Sequence, residues 1–552
     1  MPFSLPRMKH HALALPLLLL AGCATVQPAD RPISPARLSD DVRVLASEPF
    51  GGRAPGTEGE TRTVEWLIGQ LQAIGLEPGG PGGEWTQPVP LVRTQLQPGR
   101  TLARAGGTTL DLAQGRDVYV STVKPVDRVE IAQAPMVFVG YGVSAPERGW
   151  DDFKDVDLQG KVAVFLVNDP DFAAAPGEPA AGRFGDRTMT YYGRWTYKFE
   201  EAARRGAVAA LIVHDTEGAG YGWDTVTAPA GENYDIADAT GRLALQGWLE
   251  GDAAARLFAA SGLDLAAQRR AARSPDFRPV PLTATFTADI PVTHDRLQSR
   301  NVLARIPGTT RPEEVVMYGA HWDAYGRGAP DAEGRTIRPG ANDDAMGVAG
   351  LLEIARAFKS APAPERSVVF GFWTAEERGL LGSEAYAIRP VYPPAQTVAN
   401  ITLDILQTGG RAKDVILVGQ GQNTLEDDLA REAARQHRVV TAETLPERGL
   451  FYRADHFSLA KRGVPTLLFM AISGVPDLRE GGREAGRTWL NDYMRCYHQT
   501  CDAWSADLDF AAAVEDVDLA YAVGRDLATS TRWPEWKEGS EFRPIRQESL
   551  SR

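Results

Sequence analysis

Carboxylate and imidazole side chains cluster at the ends of apolar runs in the second half of the sequence. Those runs end at Tyr318, Trp373 and Leu403 and have the length and composition of buried strands. The polar residues that follow them, or that lie in nearby turns and in a late loop, are His321, Asp323, Asp343, Asp344, Glu376, Glu377, Asp404 and His498. Two histidines with several carboxylates are a ligand mixture that suits zinc.

Each of these residues also has an ordinary structural interpretation. Asp343 or Asp344 alone is typical of a helix N-cap, because carboxylates favour helix N-termini, and the pair Glu376 and Glu377 alone would begin an exposed helix. An isolated histidine is more often hydrogen-bonded in a structural role. The whole set favours a metal site, because an unpaired carboxylate beside an apolar strand, as at Asp404, is costly without a nearby cation.

The elements that must position these residues alternate between strand and helix from Asn301 onward. Apolar runs at 315–318 and 367–373 are separated by a predicted helix over 345–358. Their continuous apolar character indicates a mostly parallel central sheet covered by helices on both faces, which is an α/β fold. Ligand sites in such folds lie beyond the C-terminal ends of the strands, where the candidate residues fall.

The first half of the chain predicts two further parts. Residues 38–76 indicate two helices joined by a Gly-rich loop, with Gly75 as the stop signal. Residues 125–290 contain short buried strands and one helix and form a self-contained segment. A chain of 552 residues exceeds the usual size of a single core, which also favours two structural units or a large insertion.

Five motifs, in their order along the chain, resemble those of the co-catalytic zinc aminopeptidase family, which also contains glutamate carboxypeptidase and the transferrin receptor. The resemblance runs from about Leu38 to Asp526, and its motifs are Gly319–Asp323, Gly340–Gly347, Thr374–Ser383, Leu403–Asp404 and Cys496–Asp502. The segment 125–290 is similar to the protease-associated domain inserted in many exopeptidases. The resemblance implies the zinc exopeptidase fold with an inserted β-rich domain.

The resemblance also implies the metal ligands. His321 and Asp404 would hold one zinc ion, Glu377 and His498 would hold the other, and Asp343 would bridge the two. The cofactor implied is therefore two Zn²⁺ ions in one site.

Residues that bind no metal carry the other implied roles. Glu376 would be the general base, and Asp323 would accept the second ring proton of His321 and so fix its tautomer. Asp502 would act similarly near the second histidine ligand. Tyr497 would stabilise the oxyanion of the reaction, with a packed core aromatic as the alternative interpretation.

The implied function is hydrolysis of the N-terminal peptide bond of peptides that have a free N-terminus. Alternatives within the family are a carboxypeptidase, a dipeptidase or an N-terminal glutaminyl cyclase; Arg453 alone does not establish the basic pocket that a carboxypeptidase needs. The alternative of another class is a non-catalytic, receptor-like scaffold, which the complete ligand set disfavours. An excess of 72 acidic over 59 basic residues, a net charge of −13, argues against nucleic acid as a partner.

The N-terminus has the pattern of an export signal. Basic residues precede an apolar run over 12–21 that is too short to span a bilayer. The run ends in Leu20–Cys23, which resembles the box of bacterial lipoproteins, so Cys23 is a predicted lipidation site and the only predicted membrane attachment. An ordinary signal peptide is the alternative. The residue after the cysteine, Ala24, is not acidic, and by resemblance to known sorting patterns this favours attachment of the protein to the outer membrane. The periplasmic face is the alternative location.

The predicted domain organisation combines these parts. It consists of a signal peptide at 1–22, a tether at 23–36, a first catalytic part at 37–124, the inserted domain at 125–290, a second catalytic part at 291–535 and a C-terminal tail at 536–552.

Only Cys496 and Cys501 remain after the leader. In the oxidising compartment that export implies, two free thiols are unlikely to persist, which favours a disulfide. A third metal site is the alternative, but no second pair of ligands follows at zinc-finger spacing. A disulfide here would hold Tyr497 and His498 in a short loop.

Overall fold

The structure is a computed structural model that describes Met1, residues 33–237 and residues 239–551. The predicted leader and Cys23 lie outside the described residues. The α-helices are Pro35–Leu45, Glu58–Ile74, Trp195–Arg204, Thr216–Ala219, Trp223–Thr227, Gly251–Ala260, Leu265–Ala271, Met346–Ser360, Leu381–Ile388, Leu425–Arg435, His456–Ala460, Gly482–Cys496, Phe510–Ala528 and Arg543–Ser551. Within the described part of the chain, no helix combines the length and apolar character that crossing a membrane requires.

The sheet that carries the candidate residues is mixed but mainly parallel on one side. Its order begins with four mutually parallel strands, followed by an antiparallel fifth. In spatial order these strands are Thr466–Leu468, Thr397–Thr402, Arg311–His321, Arg366–Trp373 and the second half of Val280–Ile306. Further antiparallel strands, Glu77–Pro78, Thr86–Leu96 and Glu232–Ile236, extend it beyond the fifth strand.

Both faces of this sheet are buried, as the apolar runs predicted. In the strand Arg311–His321, Val316 and Tyr318 contribute to one hydrophobic cluster, while Val315 and Met317 contribute to another. Because successive strand residues point to opposite faces, the two clusters lie on the two sides of the sheet. The helices Met346–Ser360 and Phe510–Ala528 contribute to the first cluster.

A second sheet shares the long strand Val280–Ile306, whose first half pairs outside the sheet that carries the candidate residues. Its other strands are Arg100–Ala105, Thr108–Asp111, Val118–Ser121, Arg128–Phe138, Val162–Leu166, Ala209–Val213 and Leu245–Leu249. The three strands between residues 100 and 121 pair within this second sheet. The second sheet therefore begins near residue 100, earlier than the expected boundary of the inserted domain.

The remaining strands of the described residues form three two-stranded sheets. They are Ser144–Ala145 with Trp150–Asp151, Gly326–Arg327 with Ile337–Arg338, and Asp414–Leu417 with Val439–Ala442.

The C-terminal segment, expected to be a tail, packs against the loop that contains Gly463. Trp536 and Phe542 are buried, and the Trp536 indole donates to the carbonyl of Gly463 at 2.8 Å. The carboxylate of Glu541 accepts hydrogen bonds from the backbone N–H of Tyr191 at 3.1 Å and from the hydroxyl of Tyr452 at 2.9 Å. The segment therefore joins Tyr191, in the predicted inserted segment, to the loop that contains Tyr452.

Candidate active site

The strand ends bring the two predicted histidines to the same carboxylate. His321 ends the strand Arg311–His321, and its Nε2 lies 3.1 Å from Asp343 Oδ1. The other oxygen of that carboxylate, Oδ2, lies 3.1 Å from His498 Nε2. Asp343 therefore lies between the two imidazoles, which is the position expected of a bridging ligand.

The remaining predicted ligands complete two groups of donor atoms. One group contains His321, Asp343 and Asp404, and the other contains Asp343, Glu377 and His498; within each group the donor atoms lie within 4.8 Å of one another. Among the described residues these are the only groups of this kind. The nitrogen and oxygen donors of each group are the types that zinc binds, and one carboxylate is common to both.

The electrostatics of the site also fit cations. Asp404 Oδ1 is buried without a hydrogen-bond partner, and burial followed by repulsion from Asp343 raises the pKa of Asp404 to about 7. Burial also acts to raise the pKa of Asp343, but hydrogen bonds from His321 and His498 outweigh it and hold that pKa below its usual value. Two imidazoles are too few to offset the buried carboxylates, so the donor set fits two divalent ions.

Glu376 belongs to neither donor group. Its Oε2 lies 4.0 Å from His321 Nε2, and its side chain is 10% exposed. Burial raises the pKa of Glu376 well above its usual value, and the nearby Asp455 and Glu377 carboxylates add to the effect against the opposing charge of His321. A buried carboxyl beside the ligands, but not among them, can exchange a proton there.

Asp323 contacts both His321 and Glu376. The His321 Nδ1 lies 3.1 Å from the backbone carbonyl of Asp323 and 3.7 Å from its carboxylate Oδ1. The carbonyl is the nearer acceptor for the ring proton. The carboxylate Oδ1 accepts the backbone N–H of Glu376 at 3.0 Å, so Asp323 holds the main chain of the candidate base, a role that the sequence did not indicate.

Asp344 and Asp343 precede the helix Met346–Ser360, whose N-cap residue is Ala345, and only Asp344 bonds to the first turn of that helix. Asp344 Oδ1 accepts the backbone N–H of Gly347 at 2.9 Å at the start of the helix Met346–Ser360. Its Oδ2 accepts the backbone N–H of His321 at 3.1 Å. Asp344 therefore fixes the helix start to the strand end, and its neighbour is left to face the histidines.

No hydrogen bond or ion pair of the described residues joins Asp502 to His498, contrary to the expectation. Its carboxylate accepts the backbone N–H groups of Asn342 at 3.0 Å and of Asp343 at 3.2 Å. These bonds hold the turn that presents the bridging carboxylate.

Arg53, in the Gly-rich loop, supports the adjacent loops. Its guanidinium is buried and donates to the backbone carbonyls of Leu45, Trp322, Pro339 and Gly340 at 2.5–3.0 Å. A charged residue in a glycine-rich loop is the only signal of this role in the sequence.

Aromatic rings and a disulfide surround His498. The Tyr497 and His498 rings stack with centroids 3.6 Å apart, and the Tyr325 ring lies 4.4 Å from His498. The Sγ atoms of Cys496 and Cys501 lie 2.10 Å apart, at bonding distance. Tyr497 is therefore next to the candidate metal site and also packs against a hydrophobic cluster, so both of its predicted roles agree with its position.

Comparisons with known proteins identify similar sequences. Residues 301–522 match the family model "Peptidase family M28". Leupeptin-inactivating enzyme 1 of Streptomyces exfoliatus is 28% identical over 225 residues, which cover 40% of this chain and 47% of that protein. The chain thus spans about half the length of that relative. The probable lipoprotein aminopeptidase LpqL of Mycobacterium tuberculosis is 24% identical over 490 residues, covering 87% of this chain and 82% of that protein.

Among solved structures, the aminopeptidase from Aneurinibacillus sp. strain AM-1 is similar, with a TM-score of 0.49 and 20% identity over 91% of this chain and 96% of that chain. The matched family segment contains both histidines, all the candidate carboxylate ligands and Glu376. Residues 301–522, which carry the whole candidate site, are therefore similar to peptidase family M28.

Proposed function

We propose that the protein is a metallo-aminopeptidase that hydrolyses the N-terminal peptide bond of peptides with two zinc ions in its site. The observation that carries this proposal is the position of Asp343 between His321 and His498, each of which belongs to its own donor group. The names of the relatives, which include an aminopeptidase, support the substrate class.

The chain's own residues would carry the proton transfers. When bound, the ions would supply Lewis acidity that activates a water molecule and polarises the scissile carbonyl. The Glu376 carboxylate would take the proton of the attacking water and then donate it to the leaving amine. Asp323, through its bond to the Glu376 backbone, would keep that carboxylate in place, and the Tyr497 hydroxyl would donate a hydrogen bond to the carbonyl oxygen as charge develops on it.

Mass spectrometry of peptide digests tests the proposed direction of cleavage. A peptide with a free N-terminus should lose residues one at a time from that end, whether or not its C-terminus is amidated, while its N-acetylated form should persist. Release from the C-terminus, or cleavage of the acetylated peptide, would instead support a carboxypeptidase or an endopeptidase.

The loop closed by Cys496 and Cys501 is proposed to hold Tyr497 and His498 toward the metals. So short a loop restricts the unfolded chain little, so its main effect should be local. Replacing both cysteines with serine should therefore lower turnover and weaken metal binding at His498 more than it lowers the melting temperature. Steady-state kinetics, zinc titration and calorimetry measure the turnover, the metal binding and the melting temperature. Two reactive thiols in the denatured, unreduced protein, or unchanged kinetics in the double variant, would contradict this role.

Lipid attachment at Cys23 is proposed from the leader and from the lipoprotein relative. It would place the enzyme in the cell envelope, with the outer membrane favoured. Because one acyl chain gives only marginal membrane affinity, anchoring needs the several chains of bacterial lipoproteins. Mass spectrometry of the mature N-terminus should show an acylated Cys23, and an unmodified start after that residue would contradict the proposal.

A further inference from the structure

His498 is held less firmly by its surroundings than the other candidate metal ligands. Its side chain is 25% exposed, whereas those of His321, Asp343 and Glu377 are at most 5% exposed. The Nδ1 of His321 has an acceptor in the backbone carbonyl of Asp323 at 3.1 Å. Among the described residues, no hydrogen bond joins the Nδ1 of His498 to a protein acceptor. Since such an acceptor usually fixes the ring of a metal-bound histidine, another interaction must orient this one.

Ring contacts can supply that orientation. The His498 imidazole contacts two phenol rings, and its centroid lies 3.6 Å from that of Tyr497 and 4.4 Å from that of Tyr325. Tyr497 is the neighbour of His498 in the sequence, so its ring moves with the same loop. Tyr325 belongs instead to the segment that follows the strand Arg311–His321. The contact with Tyr325 therefore ties the loop of His498 to the end of the sheet.

The guanidinium of Arg378 in turn lies over Tyr325. Its Cζ is 5.2 Å from the centroid of that ring and 5.0 Å from the centroid of the Tyr234 ring. Among the described residues, this guanidinium donates no hydrogen bond and pairs with no carboxylate, and its Nε is buried without a partner. A cation within about 6 Å of an aromatic centroid is attracted to the ring, more strongly where water is excluded. The partners of Arg378 are therefore the two rings.

Tyr234 connects this arrangement to the predicted inserted segment. It lies in the strand Glu232–Ile236, which falls within residues 125–290. That strand nevertheless pairs with Thr86–Leu96, in the sheet that carries the candidate residues. Through the arginine, a strand of the inserted segment is therefore joined to the phenol that contacts His498.

We infer that Tyr325 and Arg378 are positioning residues that fix the imidazole of His498 for zinc binding, with Tyr234 as their support. This inference rests on the proposed two-zinc function and gives the inserted segment a part in the metal site. Neither side chain is of a type that zinc commonly binds, so both act through the ring of His498. A ligand that is already oriented loses less freedom on binding. Loosening the ring should therefore weaken zinc binding at the donor group of His498 and spare the donor group of His321.

Calorimetric titration of the chelator-treated full chain with zinc tests the inference without any substrate. Tyr325→Leu removes the ring and keeps an apolar side chain, and Arg378→Met removes the cation and keeps most of the length. Each should raise the dissociation constant of one bound ion about 10-fold, the lower end of the effect of removing support around metal ligands. The dissociation constant of the other ion should not change. If one variant fails to fold, the other still gives the result.

An Asp404→Ala background assigns the weakened ion, because it keeps the whole donor group of His498. Adding Tyr325→Leu or Arg378→Met to that background should weaken the remaining ion by the same factor.

Conservative variants separate positioning from a general effect on stability. Tyr325→Phe keeps the ring and should bind both ions as the wild type does, and Arg378→Lys should fall between the wild type and Arg378→Met. The exposed Arg270 provides the matched control, and Arg270→Met should change neither constant. A merely structural role would lower the melting temperature of the metal-free protein without selecting one ion.

The outcomes distinguish the inference from the proposed function. Unchanged zinc constants in Tyr325→Leu and Arg378→Met, an equal loss for both ions, or a Tyr325→Phe variant as weak as Tyr325→Leu would overturn the positioning role and leave the aminopeptidase function intact. A wild type that binds fewer than two zinc ions per chain would overturn the proposed two-zinc function and, with it, the inference.

Discussion

Glu376→Gln should lower turnover about 10²–10⁴-fold, the range that a general acid or base contributes, while the zinc content stays at the wild-type level. The reason is that the Glu376 side chain lies 4.0 Å from His321 but belongs to neither donor group. The amide keeps the size of the side chain and removes its ability to take a proton. The backbone N–H of residue 376 can still donate to Asp323, so the loop should keep its conformation.

Steady-state kinetics with leucine p-nitroanilide and elemental analysis of the same preparation measure the two quantities. Glu65→Gln, at an exposed position, is the matched control and should change neither. Near-normal turnover of Glu376→Gln would show that another group is the base. Loss of zinc from this variant would instead show that Glu376 is a ligand.

Asp343→Ala should lose zinc from both positions and, with it, essentially all activity. Asp343 is the one carboxylate present in both donor groups, and its two oxygens lie 3.1 Å from the two histidines. Asp404→Ala removes a donor from one group only and should therefore leave zinc at the other. The predicted order of zinc content is the wild type first, then Asp404→Ala, then Asp343→Ala.

Zinc per chain, measured after dialysis against metal-free buffer, distinguishes these variants. Asp427→Ala, at an exposed helix position, is the control for loss of a carboxylate and should retain all the zinc. Equal zinc content in Asp343→Ala and Asp404→Ala would contradict the bridging role of Asp343.

The catalytic sheet could be predicted from the sequence because its signals are local. Strands buried on both faces must be apolar throughout, and parallel strands place the residues that follow them at one edge. This is why His321, Asp404 and the Glu376–Glu377 pair could be placed together before the structure was known.

Other features depend on pairings between distant residues. The strand Arg100–Ala105 lies in a Pro/Gly-rich region, and its sheet is decided by the partner strand Val280–Ile306, almost 200 residues later. Asp502 looked like a partner of its neighbour His498, but its bonds go to the backbone of Asn342 and Asp343. The position of Asp502 next to His498 in the sequence did not predict its partners, because the loop that carries Asp502 packs on the turn at Asn342 and Asp343.

Titration of the chelator-treated protein with zinc tests the two-metal aminopeptidase most directly. Hydrolysis of leucine p-nitroanilide is followed during the titration, with the N-acetylated substrate measured in parallel. The arrangement of the two donor groups around Asp343 predicts that the metal-free protein is inactive, that activity reaches its plateau when two zinc ions are bound per chain, and that the acetylated substrate is not hydrolysed at any zinc concentration. Full activity of the metal-free protein, or a plateau at a single bound ion, would contradict it.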